Sequence, residues 1–473
     1  MKRLLRILLR LGLAALLLLV ALLLVTFAPV DRAPWPEAPL AATLASRLHT
    51  LQAETNVVVG PLLAGFGRGR LTPSLGAAQD DPAQGAFRAL PLAGYGQRQG
   101  HPATGIHDDL WVKAVALVVD GRTGVVVSAD ALIIPRDVTD AAVDLLRPTG
   151  LQRGQLYFSA THTHCSLGGW GEGPVAEAFA GHYQPGVRAW FAQQLAIAAR
   201  AALQDLAPAQ AGAVSFAATN FVKNRLPGSS GRVESAFNLL VVQQSGGNRA
   251  ILGSYGAHAT VLPGSFMEFS ADYPGVWQRE LEQEPRTLAV FLGGTVGSQA
   301  PRSGASGWAG AERMGRGLAE LTRPAVAALV LTNRLAFGLT SLSLPLPALQ
   351  ARVTDSLRLR PWLARRLLPV RDNALLQALR LGDAVWLSTP CDFSGELELD
   401  LKAAASASAA HEFHTVAVTS FNGDYVGYVI PSRYYGLDGY EPRTMSFFGP
   451  QLPDYFSAAL RGLLDVVGTS SPR

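Results

Sequence analysis

From Trp111 onward, segments typical of β-strands alternate with segments typical of amphipathic helices, and this alternation limits the folds open to the chain. The strand-like runs WVKAVALVVD and GVVVSADALII are rich in β-branched residues and are joined by the turn residues Asp120 and Gly121. Residues 187–206 carry apolar side chains at helical spacing, and the helix-like run AERMGRGLAELTRPAVAAL is expected to bend or break at Pro324. The alternation predicts an α/β sandwich with a large mixed sheet, in which functional residues collect at the carboxyl ends of strands.

The N-terminal segment, residues 1–32, is predicted to be a membrane anchor or a signal segment. Residues 11–30, LGLAALLLLVALLLVTFAPV, contain no charge and are long enough to cross a bilayer as one helix. The run is preceded by four basic residues, Lys2, Arg3, Arg6 and Arg10. Basic residues on that side favour a cytoplasmic N-terminus, so the rest of the chain is expected in the periplasm or the extracellular space.

A cleaved signal peptide is the alternative to a retained transmembrane helix. The apolar run is long for a signal peptide, and no small-x-small cleavage site precedes Asp31. We therefore favour the retained helix. Residues 28–39 are proline-rich and are interpreted as a short stiff linker off the membrane, with the body formed by residues 33–473.

Charge and cysteine content exclude two classes of protein. The four basic residues before the apolar run account for the whole formal charge of +4, so the body is neutral and no nucleic-acid partner is expected. Cys165 and Cys391 are the only cysteines among 473 residues, which excludes a disulfide scaffold and leaves stability to an apolar core. The composition does not indicate an oligomeric state.

Three of the nine histidines directly follow strand-like runs. His162 and His164 lie in SATHTHCSLGG after the apolar run GQLYF, and His258 follows RAILGSYGA. Imidazole is a common neutral ligand of zinc, and alternate residues of a strand can carry two such ligands on one face. Taken alone, the pair is equally compatible with one core histidine and one solvated histidine.

The segment FSATHTHCSLGGW resembles the zinc-binding segment of the neutral, non-lysosomal ceramidases, usually Thr-His-Thr-His-Ser-Gly-x-Gly-Gly. Five further segments are similar to blocks of that family in the same order: GIHDDLWVKAVALVVD, TNFVKNRLPG, YGAHATVL, TPCDFSGEL and NGDYVGYVIPSRYYGLDGYEPRTMSFFGP. The six blocks span residues 105–450. The resemblance implies that residues 33–473 form a catalytic domain of the neutral/alkaline ceramidase type, without the immunoglobulin-like domain that follows it in the family.

The resemblance also implies a zinc centre. The residues that match the zinc ligands of the family are His162, His258, Asp392 and Tyr428. Zinc lowers the pKa of a bound water to near 7, which would make a nucleophile available at neutral pH. By the same comparison His164 contacts the reacting carbonyl or moves a proton, Arg225 stabilises the oxyanion, and Tyr440 is a second tyrosine of the catalytic site.

The chain departs from the family pattern at two site positions. The family carboxylate is usually Glu, whereas this chain has Asp392; Glu396, one helical turn on, is an alternative ligand, and Asp392 alone would also suit a helix N-cap. The family block Gly-Asp-x-Ser-Pro contains a serine proposed as nucleophile, whereas VGSQAPRSG has Ala300 there and Ser298 out of register. Like Asp392, Tyr428 has an ordinary structural interpretation when taken alone, that of a packed strand tyrosine.

We therefore predict a membrane-tethered, zinc-dependent hydrolase of amide bonds in N-acyl lipids such as ceramide, which uses activated water directly. The expected partner is a lipid or N-acyl amide at the membrane surface, and residues 67–105, a long irregular segment, are expected to shape the entrance. A hydrolase of another amide or ester, and a non-catalytic family member with a binding or envelope-structural role, stay open as alternatives.

Cys165 and Cys391 flank proposed zinc ligands on segments that converge at the ion. Their Cα atoms are therefore expected within about 15 Å of each other. A disulfide between them, which needs about 7 Å or less, is left open.

Overall fold

The structure is a computed structural model that describes residues 2–33, 35, 38–54, 57–368, 370–407 and 413–468. In these residues the helices are α1 (Lys2–Thr26), α2 (Ala38–Gln52), α3 (Arg136–Leu146), α4 (Pro174–Ala180), α5 (Pro185–Gln204), α6 (Asp272–Glu282), α7 (Gly307–Ala327), α8 (Pro361–Leu367), α9 (Gly395–Ala407) and α10 (Leu452–Gly468). The strands are β1 (Phe27–Pro29), β2 (Val58–Arg70), β3 (Ser74–Leu75), β4 (Ala86–Phe87), β5 (Gly105–Ile106), β6 (Trp111–Val119), β7 (Arg122–Ala129), β8 (Leu156–Ala160), β9 (Ala207–Ala217), β10 (Val222–Asn224), β11 (Ala236–Gln244), β12 (Arg249–Tyr255), β13 (Glu268–Phe269), β14 (Thr287–Gly293), β15 (Gln299–Pro301), β16 (Arg334–Pro345), β17 (Leu357–Leu359), β18 (Asn373–Leu381), β19 (Ala384–Ser388), β20 (Asp392–Phe393), β21 (Thr415–Thr419) and β22 (Tyr428–Val429).

Twelve strands of the described chain form one mixed sheet around a central apolar core. The order is β14-β12-β11-β9-β2-β16-β18-β19-β21, and β6, β7 and β8 branch from the long strand β2. Every one of these strands contributes at least one side chain to the central cluster, whose largest members include Tyr157, Phe337 and Trp386. The sheet thus encloses one core and confirms the expected mixed-sheet α/β sandwich.

Helices cover the outer faces of the sheet in three groups. Helices α3 and α5 pack beside β2, β6 and β7; α6 and α7 pack on the β11–β14 side; α9 and α10 pack on the β16–β21 side. The contact between β2 and α5 requires glycine, because a Cβ at Gly65 or Gly67 would overlap the backbone of α5. The carboxyl ends of β8, β12, β19 and β21 lead into the segments that form the candidate site.

Several local predictions can be compared with these elements. β6 and β7 form the expected hairpin, and its turn residues Asp120 and Gly121 both have positive φ, as a two-residue turn of this kind needs. Helix α7 continues through Pro324 to Ala327, so the proline does not break the helix. Residues 67–70 end β2, and the rest of the segment 67–105 is irregular apart from the two-residue strands β3 and β4, one short 3-10 turn and the start of β5.

The N-terminal helix α1 is exposed along its length, and among the described residues it alone is long and apolar enough to cross a membrane. The described residues after it do not form the predicted short stiff linker. Strand β1 pairs with β17, Asp31 N donates to Gln350 Oε1 at 3.1 Å, and Ala33 O accepts from Gln451. The chain therefore joins the body directly after α1; residues 34, 36 and 37 of the predicted linker lie outside the described part.

Candidate metal centre

Three histidines from two strand ends converge at one edge of the sheet. His162 and His164 follow β8, and His258 follows β12. His162 has φ +62°, a conformation that costs a non-glycine residue about 1–3 kcal/mol and is enriched at functional sites. Its imidazole stacks on Phe421 after β21, with ring centroids 4.2 Å apart and planes within 9°. The surrounding fold therefore determines both the backbone and the ring orientation of His162.

Backbone carbonyls orient the two buried imidazoles toward a common point. His162 Nδ1 lies 2.7 Å from Leu132 O and His258 Nδ1 lies 3.2 Å from Val296 O, so in each ring Nδ1 is assigned as the donor. The lone pairs of both Nε2 atoms then face each other at 2.8 Å. Burial lowers the pKa of His162 to about 3 and that of His258 well below its ordinary value, so both rings are neutral. Two neutral lone pairs cannot share a hydrogen bond, whereas a cation between them would satisfy both.

His164 extends the cluster. Its Nε2 lies 3.4 Å from that of His162, and the candidate ligand atoms of the three histidines all lie within 4.8 Å of one another. Burial also lowers the pKa of His164 well below its ordinary value. The cluster is therefore three neutral imidazoles within reach of one ion, whose Zn–N bonds would be about 2.0–2.1 Å.

Asp392 supplies a carboxylate to the same point. Its Oδ1 lies 3.3 Å from His162 Nε2, and no group in the described chain donates to Oδ1 in hydrogen-bonding geometry. Its Oδ2 accepts from the Tyr425 hydroxyl at 2.6 Å. Burial raises the pKa of Asp392 to about 7, although the Tyr425 hydroxyl partly offsets this. A buried carboxylate oxygen that faces neutral nitrogens is costly unless a cation lies between them.

Tyr428 lies beside this carboxylate. β20 and β22 pair in parallel with Asp392 opposite Tyr428. Arg225 Nη2 donates to Tyr428 Oη at 3.1 Å, and Arg225 Nε lies 2.7 Å from Glu441 Oε1. The positive charge of Arg225 is therefore directed at the phenol oxygen and is balanced by Glu441.

The donor set fits zinc, which binds imidazole and carboxylate ligands in four-coordinate sites and can expand to five ligands. The structure brings together His162, His258, Asp392 and Tyr428. It adds His164 as an alternative to Tyr428 for the fourth ligand. Glu396 does not face this point: its carboxylate accepts from Asn224, Arg433 and Tyr434. The alternative ligand considered from the sequence is therefore wrong.

A pocket of about 440 Å³ opens above the histidines. Its floor contains His162, His164, Tyr425 and Tyr428, and Tyr440 stands beside Tyr428 with ring centroids 5.9 Å apart. Its walls are mainly apolar and include Leu132, Ile133, Trp170, Val175, Phe179, Leu368, Val370, Met445 and Phe447. The charged residues around it are Arg136, Asp137, Glu172, Arg365, Arg371 and Asp424. An apolar chain with an uncharged polar end matches this lining.

No serine, threonine or cysteine lines the pocket in the described part of the chain. Ser298 is fully buried, and its hydroxyl is bonded to Ser394 Oγ at 2.9 Å and Gly395 N at 3.1 Å. Ala300 lies in β15 opposite Lys223. Cys165 and Cys391 are both free and buried, so the disulfide considered from the sequence does not form; their predicted Cα separation stays a prediction.

Residues 67–105 were expected to shape the pocket entrance, but most of their contacts with the site lie behind His164. Gly94 lines the pocket, but Tyr95 packs on the His164 ring with centroids 4.7 Å apart, and the buried Arg98 donates to His164 O. This segment therefore supports His164 from behind. Residues 171–179 and 365–371 contribute more of the pocket lining.

Sequence reasoning missed the residues that hold the site together. Tyr425 and Phe421 lie in the same tyrosine-rich region as Tyr428, and Tyr425, three residues before it, carried a weak signal as a second polar aromatic residue. Gly94 and Arg98 carried none, because neither belongs to a recognisable motif. Their importance arises from contacts with His164 that only the fold creates.

The fold and the centre define a class of protein: a mixed-sheet α/β body with a buried histidine–carboxylate cluster at strand ends beneath an apolar pocket. Solved structures of ceramidases have the same fold. Neutral ceramidase from Pseudomonas aeruginosa matches with a TM-score of 0.69 and 17% identity over 86% of this chain and 73% of that chain. A ceramidase complexed with C2 matches with a TM-score of 0.69 and 16% identity over 86% of this chain and 74% of that chain.

Comparisons with protein-family models and with curated protein sequences find no match for this chain. At 16–17% identity the likeness to the solved structures shows the fold. The chain therefore has the neutral ceramidase fold, which confirms the resemblance inferred from the six ordered sequence blocks.

Proposed function

We propose that the protein is a membrane-anchored, zinc-dependent hydrolase that cleaves the amide bond of an N-acyl lipid of the ceramide class. One observation carries this proposal: a cluster of neutral imidazoles and a buried carboxylate forms the floor of an apolar pocket within the neutral ceramidase fold. The body carries no net charge, so a nucleic-acid substrate is not expected.

The residues that would hold zinc are His162, His258 and Asp392. Tyr428 would be the fourth ligand, and His164 is the alternative to it. When bound, zinc supplies a Lewis acid that polarises a carbonyl oxygen and lowers the pKa of water to near 7. The carbonyls of Leu132 and Val296 fix the imidazole tautomers, and Tyr425 fixes the carboxylate. Such supporting hydrogen bonds orient the ligands before the metal binds.

Water is the nucleophile in this proposal. The pocket lining of the described chain has no hydroxyl of serine or threonine and no thiol, and Ala300 replaces the family serine. An acyl-enzyme therefore has no evident site. His164, on the pocket floor beside His162, is placed to pass a proton to the leaving amine.

Arg225 and Tyr440 stabilise the developing negative charge on the amide oxygen. Arg225 acts through Tyr428: its guanidinium donates to the phenol oxygen and so holds the Tyr428 side chain at the site. Tyr440 stands beside Tyr428 at the pocket and is partly exposed. Donors held in place before reaction stabilise an oxyanion without a reorganisation cost.

The pocket supports an uncharged lipid amide as the substrate. Its walls would take an acyl chain, and three arginines and three acids around it leave no net charge to select an anionic or cationic head. The exposed helix α1 supports membrane tethering, with the body on the outer side because the basic residues precede the helix.

The test uses the full chain, purified in detergent with zinc, and a substrate panel of N-acyl sphingoid bases, N-acyl amino acids and simple esters. We expect hydrolysis of the N-acyl sphingoid bases to be fastest. His164→Ala should lose turnover, whereas His414→Ala, which changes an exposed histidine at the opposite end of β21, should keep it.

Two outcomes would contradict this function. Hydrolysis confined to the esters or N-acyl amino acids would establish a different substrate class on the same centre. A zinc-loaded chain that is inert on the whole panel would favour the non-catalytic alternative, a family fold retained for binding or envelope structure.

A further inference from the structure

Residues 351–371, ARVTDSLRLRPWLARRLLPVR, form a segment that we call the basic arm. It contains six arginines and one acidic residue, in contrast to the neutral body. It includes β17 and α8 and lies between β16 and β18. Neither the sequence motifs nor the metal centre accounts for this concentration of positive charge.

The basic arm holds the outer end of helix α1. Arg360 N and Nε donate to Thr26 O at 2.9 Å and Leu24 O at 2.6 Å, and Trp362 Nε1 donates to Val25 O at 3.2 Å. These are carbonyls of the last helical turn, which have no partner within a helix. Because β1 then pairs with β17 directly, no free residues separate α1 from the body.

The arm therefore lies at the level of the membrane surface if α1 spans a bilayer. The uncharged part of α1 runs from Leu11 to Thr26, about 24 Å at 1.5 Å per residue. The hydrocarbon core of a bilayer is about 30 Å thick. With Arg10 at the inner boundary, Thr26 falls about 6 Å short of the outer boundary. Arg360 and Trp362 therefore cannot stand clear of the membrane, and we place them at the outer interface, which tryptophan and arginine favour.

The surface of the basic arm has the composition of an interfacial membrane segment. Four of its large apolar side chains are exposed: Val353, Leu357, Trp362 and Leu367. Arg366 lies over the Trp362 ring, 5.6 Å from its centroid. Exposed apolar side chains interspersed with arginine are typical of segments that rest in the headgroup region and attract anionic lipid.

The arm also reaches the pocket. Arg365, Leu368, Val370 and Arg371 line it, and α8 connects them with Trp362 at the end of α1. Seven helical residues measure about 10 Å. One short helix therefore joins the membrane end of the anchor to the mouth of the pocket.

We propose that the basic arm is a membrane-docking surface whose occupant is the headgroup layer of a bilayer that contains anionic phospholipid. It seats the pocket mouth on that layer, so that an acyl lipid enters beside α8 without crossing bulk water. The proposal rests on the retained anchor and the lipid substrate of the proposed function, and it adds the surface and the route.

The test attaches an environment-sensitive fluorophore at one position in the full chain, reconstituted in nanodiscs of phosphatidylcholine and phosphatidylglycerol with a headgroup spin-labelled lipid. Leu367→Cys places the label on the arm, and Val330→Cys places it at an exposed control position. β16, with twelve residues or about 40 Å of strand, separates the two regions. The native cysteines are buried and will not take the label.

We expect the label at position 367 to shift its emission to shorter wavelength and to be quenched by the spin-labelled lipid, with neither change at position 330. The effect should weaken in discs without phosphatidylglycerol. No quenching at position 367, or equal quenching at both positions, would overturn the docking surface.

Hydrolysis measured in the same nanodiscs separates this proposal from the proposed function. Quenching at position 367 without hydrolysis supports the docking surface and contradicts the proposed hydrolase function. Hydrolysis without quenching supports the hydrolase function and contradicts the docking surface. Mass measurement of the native chain from membranes adds one more outcome: loss of α1 would overturn the docking surface, because the arm would have no anchor to hold.

Discussion

Tyr425→Phe removes one hydroxyl whose only evident task is to hold a candidate zinc ligand. The hydroxyl donates to Asp392 Oδ2 at 2.6 Å, and this bond turns Oδ1 toward His162 Nε2, 3.3 Å away. A hydrogen bond to a charged group contributes about 1.5–3 kcal/mol. Loss of a group that orients a metal ligand typically lowers metal affinity about 10–100-fold, or about 1.4–2.7 kcal/mol. The two magnitudes agree, so we expect a 10–100-fold weaker zinc affinity.

The assay is competition for zinc between the full chain in detergent and a chromophoric chelator at constant pH. Tyr435→Phe is the matched control, because its hydroxyl donates to the neutral acceptor Gln350 O at 3.4 Å, away from the centre. The control should lose some stability and keep its zinc affinity. Unchanged affinity in Tyr425→Phe, or an equal loss in the control, would refute the role assigned to Tyr425.

Three further substitutions test the catalytic arrangement. Gly94→Ala would place a Cβ 2.6–2.7 Å from ring and Cβ atoms of His164 and would push that side chain aside. Because a displacement of about 1 Å in a catalytic group can cost about 10²-fold in rate, turnover should fall by about that factor. Gly76→Ala is the control, since Gly76 also has positive φ but faces open space, and it should not alter turnover. Arg225→Gln removes the charge that holds Tyr428 at the site and should lower kcat by at most the loss expected for one oxyanion donor, on the order of 10²–10³-fold; unchanged kcat would contradict its role. Ala300→Ser should change little; a large gain in activity would contradict direct attack by water.

The alternating strands and helices were predictable from the sequence, but the arrangement of the sheet was not. The hairpin of β6 and β7 follows from local signals, namely β-branched runs and the turn at Asp120 and Gly121. β2 was missed because it contains four glycines, which are depleted from strands. Those at Gly65 and Gly67 are there because α5 packs against the strand backbone, a contact that sequence periodicity does not reveal.

The centre was partly predictable, because two kinds of residue form it. His162, His258 and Asp392 lie in recognisable blocks, so the sequence indicated them although the fold alone brings them together. Tyr425 lies 33 residues from the carboxylate it orients, and Arg360 lies 336 residues from the helix end that it holds. Neither pairing can be inferred from the local sequence, although Tyr425 itself carried a weak signal as a polar aromatic residue. The sequence therefore favoured a short stiff linker after α1, where the structure has a strand pairing.

The central claim is that the histidine–carboxylate cluster holds one zinc ion. The most direct measurement is the metal content of the purified full chain by inductively coupled plasma mass spectrometry, with folding checked by circular dichroism. We predict one zinc per chain, loss of that zinc in His258→Ala, and its retention in His414→Ala. A folded chain without zinc after equilibration with the metal, or a His258→Ala variant that keeps it, would contradict the account.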